Sequence, residues 1–123
     1  MSTFENTIDK LGDRAVLDSI LKKTITEFCD DTVTNISPYC FYKCTNLTKV
    51  HLVKVVKIDN WAFASTGITT LIIDNPVPPT LQNVGAIVKN TGLRIIVPKG
   101  ALSAYLSATN WSSFIDYLEE DTK

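Results

Sequence analysis

NISPYCFYKCTNLTKVHL occupies residues 35–52, and KIDNWAFASTGITTLII occupies 57–73. Laid over one another, Ile36 falls on Ile58, Cys40 on Ala62 and Phe41 on Phe63, each 22 residues later. Leu47 then falls on Ile68, Val50 on Leu71 and Leu52 on Ile73, 21 residues later, because the second copy is one turn residue shorter. Apolar residues returning at a nearly fixed interval mark a repeat architecture. One unit cannot bury its apolar edge alone, whereas stacked units share a continuous core.

The register extends both ways. ITEFCD (25–30) aligns with LTKVHL upstream, and LRIIVP (93–98) follows Ile87 downstream as Leu47 follows Phe41. The first apolar position of each strand is then Ile25, Leu47, Ile68 and Leu93, and the position three later is Phe28, Val50, Leu71 and Ile96. With Ile36, Ile58, Phe41, Phe63, Leu52 and Ile73, these residues form the expected repeat core. The chain reads as an α/β repeat fold, a short solenoid of about four rungs with a helical cap at each end.

The expected organisation is a single domain, 1–123, with an N-terminal helical cap over 1–24, rungs over 25–98, and a C-terminal helical cap and tail over 99–123. Asp13 is placed to cap a helix with Val16, Leu17, Ile20 and Leu21 on one face. Pro98-Lys99-Gly100 leads into a helix bearing Leu102, Tyr105 and Leu106, and Asn110 is expected to cap a second with Trp111, Phe114, Ile115 and Leu118. In DNPVPPTLQN (74–83), three prolines exclude a helix and central ladder pairing.

Composition narrows the function classes. A net charge of −1, with 45% hydrophobic and 20% charged residues, gives no reason to expect nucleic acid or an anionic membrane as partner. No apolar run has the length of a membrane span. The start MSTFENTIDKLGDR carries Glu5 and Asp9 where a secretory signal has basic and then apolar residues, so synthesis in the cytoplasm without a signal peptide is expected.

The repeat residues resemble BspA-type leucine-rich repeats: an isoleucine, then an Ala-Phe pair, a turn containing Cys or Asn, and a short strand. Cys40-Phe41 and Ala62-Phe63 stand at the Ala-Phe place, with Cys44 and Thr66 at the turn position. NPVPPTLQNVGAIVKNTGLRIIVPKGALSAYLSATNWSSF (75–114) is similar to the closing module of many such proteins, although Val84-Gly85-Ala86-Ile87 lacks the Phe. The segment up to DTVTNI is similar to short repeat proteins encoded in phages and prophages of gut bacteria. The resemblance implies a right-handed solenoid and a binding role without catalysis or cofactor. It also implies protein partners (virion proteins or self-association), with a cell-surface receptor or glycan as a further class, and a virion-associated location. The leading expectation is a virion structural component, and the alternative is an interaction adaptor or adhesin module.

Two chemical readings compete with the repeat. Cys40-x₃-Cys44 with Cys29 and His51 could form a zinc set, but no second close pair exists, and Cys40 shares a core phase with Ala62. Cys29 and His51, 22 apart, are expected side by side on the outer face, where they form the only constructible catalytic dyad. Neither displaces the binding reading: no catalytic or metal residues are assigned. The candidate partner face comprises Glu27, Lys49, His51, Thr70, Ile72, Ile95 and Val97, ending in an apolar ladder of Ile72, Ile95 and Val97. Lys43, Lys49, Lys54 and Lys57 give one repeat a basic surface, and Glu119-Glu120-Asp121 reads as a solvated tail.

Overall fold

A computed structural model describes residues 25–121, so the expected N-terminal helical cap over 1–24 lies outside the described residues. The described chain is built mainly of short parallel strands. A five-stranded sheet has the order β1 (Glu27–Asp30), β3 (Lys49–Leu52), β5 (Thr70–Ile73), β7 (Arg94–Val97), β8 (Leu118–Glu120). A three-stranded sheet has the order β2 (Asn35–Ile36), β4 (Lys57–Ile58), β6 (Thr80–Leu81). One α-helix, α1 (Leu102–Ser107), and two 3₁₀ turns at Val84–Ala86 and Trp111–Phe114 complete the described elements. No helix among them is long and apolar enough to cross a membrane.

Alternation builds the larger sheet. EFCD, KVHL and TLII turn every second side chain inward, so Phe28, Val50 and Leu71 are in register, followed by Asp30, Leu52 and Ile73. Asp30 is the one charged residue in this inward row. Its Oδ1 accepts from Thr32 N at 2.7 Å, Val33 N at 2.7 Å and Thr32 Oγ1 at 2.8 Å, which satisfies the buried carboxylate. In the smaller sheet Ile36, Ile58 and Leu81 point inward in register.

Between the sheets the turns stack by backbone hydrogen bonds from one repeat to the next: Phe41 N to Ala62 O at 2.8 Å, and Phe63 N to Ala86 O at 2.9 Å. Phe41 and Phe63 thereby lie in stacked register, and Ile87 fills the next place, bridged to Phe63. Gly67 accounts for the shorter second copy: a Cβ there would stand 2.8 Å from the carbonyl oxygen of Thr45, so only glycine lets the chains approach.

The fourth strand departs from the expected register. Ile95 is paired with Leu71 and fully buried, and Val97 is 1% exposed, whereas Ile96 is paired with Ile72 on the outer face. The cause is one missing residue. The inward position follows the first apolar residue by three in Leu47–Val50 and Ile68–Leu71, but by two in Leu93–Ile95. A one-residue slip exchanges the faces of every side chain in a strand.

The C-terminal segment also differs. The helix bearing Leu102, Tyr105 and Leu106 is present as α1, but the second is reduced to the single 3₁₀ turn Trp111–Phe114, which stops short of Ile115 and Leu118. Asn110 has φ 68° and makes no side-chain cap. Ile115 is 60% exposed, and Leu118–Glu120 form β8, parallel to β7 with Leu118 opposite Ile95. The acidic end is therefore the outermost strand of the sheet rather than a solvated tail.

Candidate interaction surface

Outward positions of the larger sheet form two rows. The first is Glu27, Lys49, Thr70 and Arg94; the second is Cys29, His51, Ile72, Ile96 and Glu119. Glu27, Cys29, Lys49 and Arg94 are exposed, while His51, Thr70, Ile72, Ile96 and Glu119 are half-buried. Five residues of the expected face, Glu27, Lys49, His51, Thr70 and Ile72, thus lie together on one side. Ile95 and Val97 do not; they point into the core, and the apolar ladder is reduced to Ile72 beside Ile96.

Arg94, Ile96 and Asp74 are surface residues that the sequence reading missed, and Glu119, read as part of a tail, joins them on the sheet face. Period-two alternation could have found the first two. A charged Arg94 marks the solvent face of RIIV, and Ile96 must share that face.

Charged side chains on this face hold one another. Arg94 Nε and Nη2 each donate to Glu119 at 2.9 Å, a bidentate pair. Those hydrogen bonds hold the Glu119 carboxyl below its ordinary range and raise the Arg94 guanidinium. His51 Nε2 lies 2.5 Å from Asp74 Oδ2, so the imidazole leans toward β5. Cys29 is its neighbour in register on the β1 side. The dyad residues are therefore adjacent strand positions, with the hydrogen bond of His51 going to Asp74. Lys57 lies 3.6 Å from Asp59, while Lys43, Lys49 and Lys54 are exposed around one repeat.

Cys40 and Cys44 lie in the core, at 2% and 0% exposure, on the opposite side of the sheet from Cys29. Burial, reinforced by Cys44, pushes the Cys40 thiol up to about 12. Metal ligation and nucleophilic attack both need the thiolate, which this site disfavours. Among the described residues, no three His, Cys, Asp or Glu side chains are grouped to hold a metal ion.

The closing segment completes the scaffold that carries the face. The strand edge of β6 turns the carbonyls of Pro79 and Leu81 away from β4, and no further strand follows in that sheet. Trp111 Nε1 donates to Pro79 O at 2.7 Å, and Asn110 Nδ2 donates to Leu81 O at 2.7 Å. Tyr105 Oη donates to Asn75 O at 2.6 Å, pinning the start of the proline-rich link. Burial, with the Asp74 charge adding, raises the Tyr105 phenol well above its ordinary value and keeps it a donor. Side chains thus replace a strand that the prolines forbid.

Comparison with known proteins agrees with this architecture. The family model of the BspA type leucine rich repeat region matches residues 2–84 in six copies, about two thirds of the chain. The match starts inside the segment expected as a helical cap and counts more copies than the four rungs read from the sequence. Comparison with curated proteins finds no match. Leucine-rich repeats form stacked scaffolds with extended binding surfaces, which points to a protein-interaction module. Parallel strands in nearly fixed register, with Phe41 and Phe63 at the Ala-Phe place, are the structural counterpart of that match, and the chain belongs to the BspA-type leucine-rich repeat family.

Proposed function

We propose that this chain is a non-catalytic protein-binding module that presents the outer face of its five-stranded sheet to a partner. The observation that carries the reading is the row Cys29–His51–Ile72–Ile96–Glu119. Parallel strands hold these side chains at about 4.8 Å intervals on a fixed backbone. Two half-buried isoleucines lie between His51, fixed by Asp74, and Glu119, fixed by Arg94. An apolar centre with an ordered polar surround is the usual composition of a protein-binding patch.

In this reading the whole chain, 1–123, acts as one domain, and its units form a short right-handed solenoid. The parallel pairing and the family membership support both. Its specific form as a virion component rests on the sequence resemblance of the segment up to DTVTNI alone. The virion form requires a defined oligomer or co-sedimentation with particles; a strict monomer absent from particles rules it out.

The face itself is tested by affinity capture with the chain and its Ile72→Arg/Ile96→Arg variant. A protein bound by the parent and lost by the variant, at unchanged melting temperature, is the expected result. Equal capture by both would remove this face from the function.

A further inference from the structure

Large apolar side chains that stay exposed are informative where they gather. Tyr39 (44% exposed), Trp61 (44%) and Val84 (42%) all lie on the turns that follow strands of the smaller sheet. The turns stack: Tyr39 N donates to Asn60 O at 3.0 Å, and Gly85, beside Val84, lies against the Trp61 ring. Tyr42 stands edge-on to Tyr39 with centroids 5.2 Å apart, and Lys43 Nζ lies 5.4 Å from the centre of the Tyr42 ring. Together they form an aromatic ridge with a cation at one end. Tryptophan and tyrosine are among the side chains that carry most of the energy at protein contacts.

The closing segment carries the opposite feature. Ile115 is 60% exposed, between buried Phe114 and exposed Asp116. Residues 39–57 hold Lys43, Lys49, Lys54 and Lys57 and no acid, whereas 115–121 hold Asp116, Glu119, Glu120 and Asp121 and no base. Several of the charges around these two places are already answered: Lys57 by Asp59, Glu119 by Arg94, Glu120 by Leu102 N, and Lys89 by the ring of Phe114. Lys43 and Asp116 are both exposed, and the ion pairs among the described residues include neither.

An aromatic ridge ending in a cation and an aliphatic knob beside an anion are complementary surfaces on one chain. Both are exposed, so neither covers the other within a single copy. With a net charge of −1, copies of the chain repel one another little. We infer that the ridge of Tyr39, Tyr42 and Trp61 docks a second copy of this chain. Ile115 of the second copy lies on the aromatic rings, and its Asp116 faces Lys43. Because ridge and knob are different surfaces, each docked pair keeps one of each free, and assembly continues into a ring or a filament. The ridge lies on the turns, apart from the outer sheet face, so the protein-binding reading keeps its own test.

The experiment is sedimentation velocity of the full chain at concentrations up to about 1 mM, because a contact this small associates weakly. The mean mass should rise past that of a dimer with concentration and fall as salt screens the Lys43–Asp116 pair. Ile115→Asp and Trp61→Ala should each weaken association at least tenfold, at a melting temperature that reports an intact fold. Lys43→Glu and Asp116→Lys should each weaken it by repulsion, while the double variant Lys43→Glu/Asp116→Lys should associate as the parent does. An equal mixture of Trp61→Ala and Ile115→Asp should stop at dimers, since one ridge and one knob remain between them. A parent that stays monomeric or stops at dimers, association indifferent to Ile115→Asp and Trp61→Ala, or a double variant that stays dissociated would overturn the inference.

Discussion

Phe41 and Phe63 lie stacked, their ring centroids 5.2 Å apart and their planes within 7°. Phe28 continues the column, 4.9 Å from Phe41. Both stacked rings are fully buried, so each joins its own repeat to the next. Phe41→Ala and Phe63→Ala should each cost about 3–5 kcal/mol in chemical denaturation, the usual cost of removing a buried aromatic. A neutral result at either position would contradict the stacking.

Trp111 is expected to act through its N–H as well as its bulk. Trp111→Phe keeps an aromatic but leaves Pro79 O without its donor, and should cost about 1–3 kcal/mol. At Asn110, glycine retains the left-handed backbone and loses only the bond to Leu81 O, whereas alanine loses both. Asn110→Ala should therefore melt lower than Asn110→Gly. The reverse order would mean that φ at this position is not what the side chain serves.

Cys40 gives the fold an alkaline limit. The folded state holds its thiol protonated up to about 12, against an ordinary value of 9.0. Above the ordinary value the unfolded chain releases this proton while the folded chain keeps it. Stability is therefore fully present below pH 9 and falls through the window up to about 12, by about 1.4 kcal/mol per pH unit. Cys40→Ala, which copies Ala62 of the next repeat, should flatten that part of the profile. An unchanged alkaline slope would remove Cys40 as its cause.

Gly67 should not tolerate a side chain. Its Cβ would press on the backbone oxygen of Thr45 at 2.8 Å, and backbone cannot swing aside as a side-chain tip can. Gly67→Ala should cost about 1–3 kcal/mol, as overpacking does. Gly92→Ala meets no atom within 4 Å, so any loss there comes from its φ of +85° alone.

Much of the fold was legible because burial repeats. Ile36, Ile58, Phe41, Phe63, Leu52 and Ile73 return at matched places since each unit makes the same turns. The register failed at the fourth strand, where one residue is missing after Leu93 and the template of three no longer applied. The end of the chain failed for a different reason. Asn110 has the side chain of a helix cap, and Trp111, Phe114 and Leu118 have helical spacing. Yet the free edges of β6 and β7 take those same groups for a side-chain cap and a fifth strand. On the surface, the adjacency of Cys29 and His51 followed from the repeat interval. The pairs His51–Asp74 and Arg94–Glu119 depend on the corner after β5 and on β8, which local sequence does not specify.

The fourth-strand register decides which residues the interaction surface contains, and thiol accessibility measures it directly. With the three native cysteines replaced, a single cysteine is placed at Ile95 or at Ile96 and its labelling rate is followed in the folded protein. Cysteine at 96 should react readily, and cysteine at 95 only on the timescale of unfolding. Rapid labelling at 95 with protection at 96 would contradict the register and return Ile95 and Val97 to the outer face.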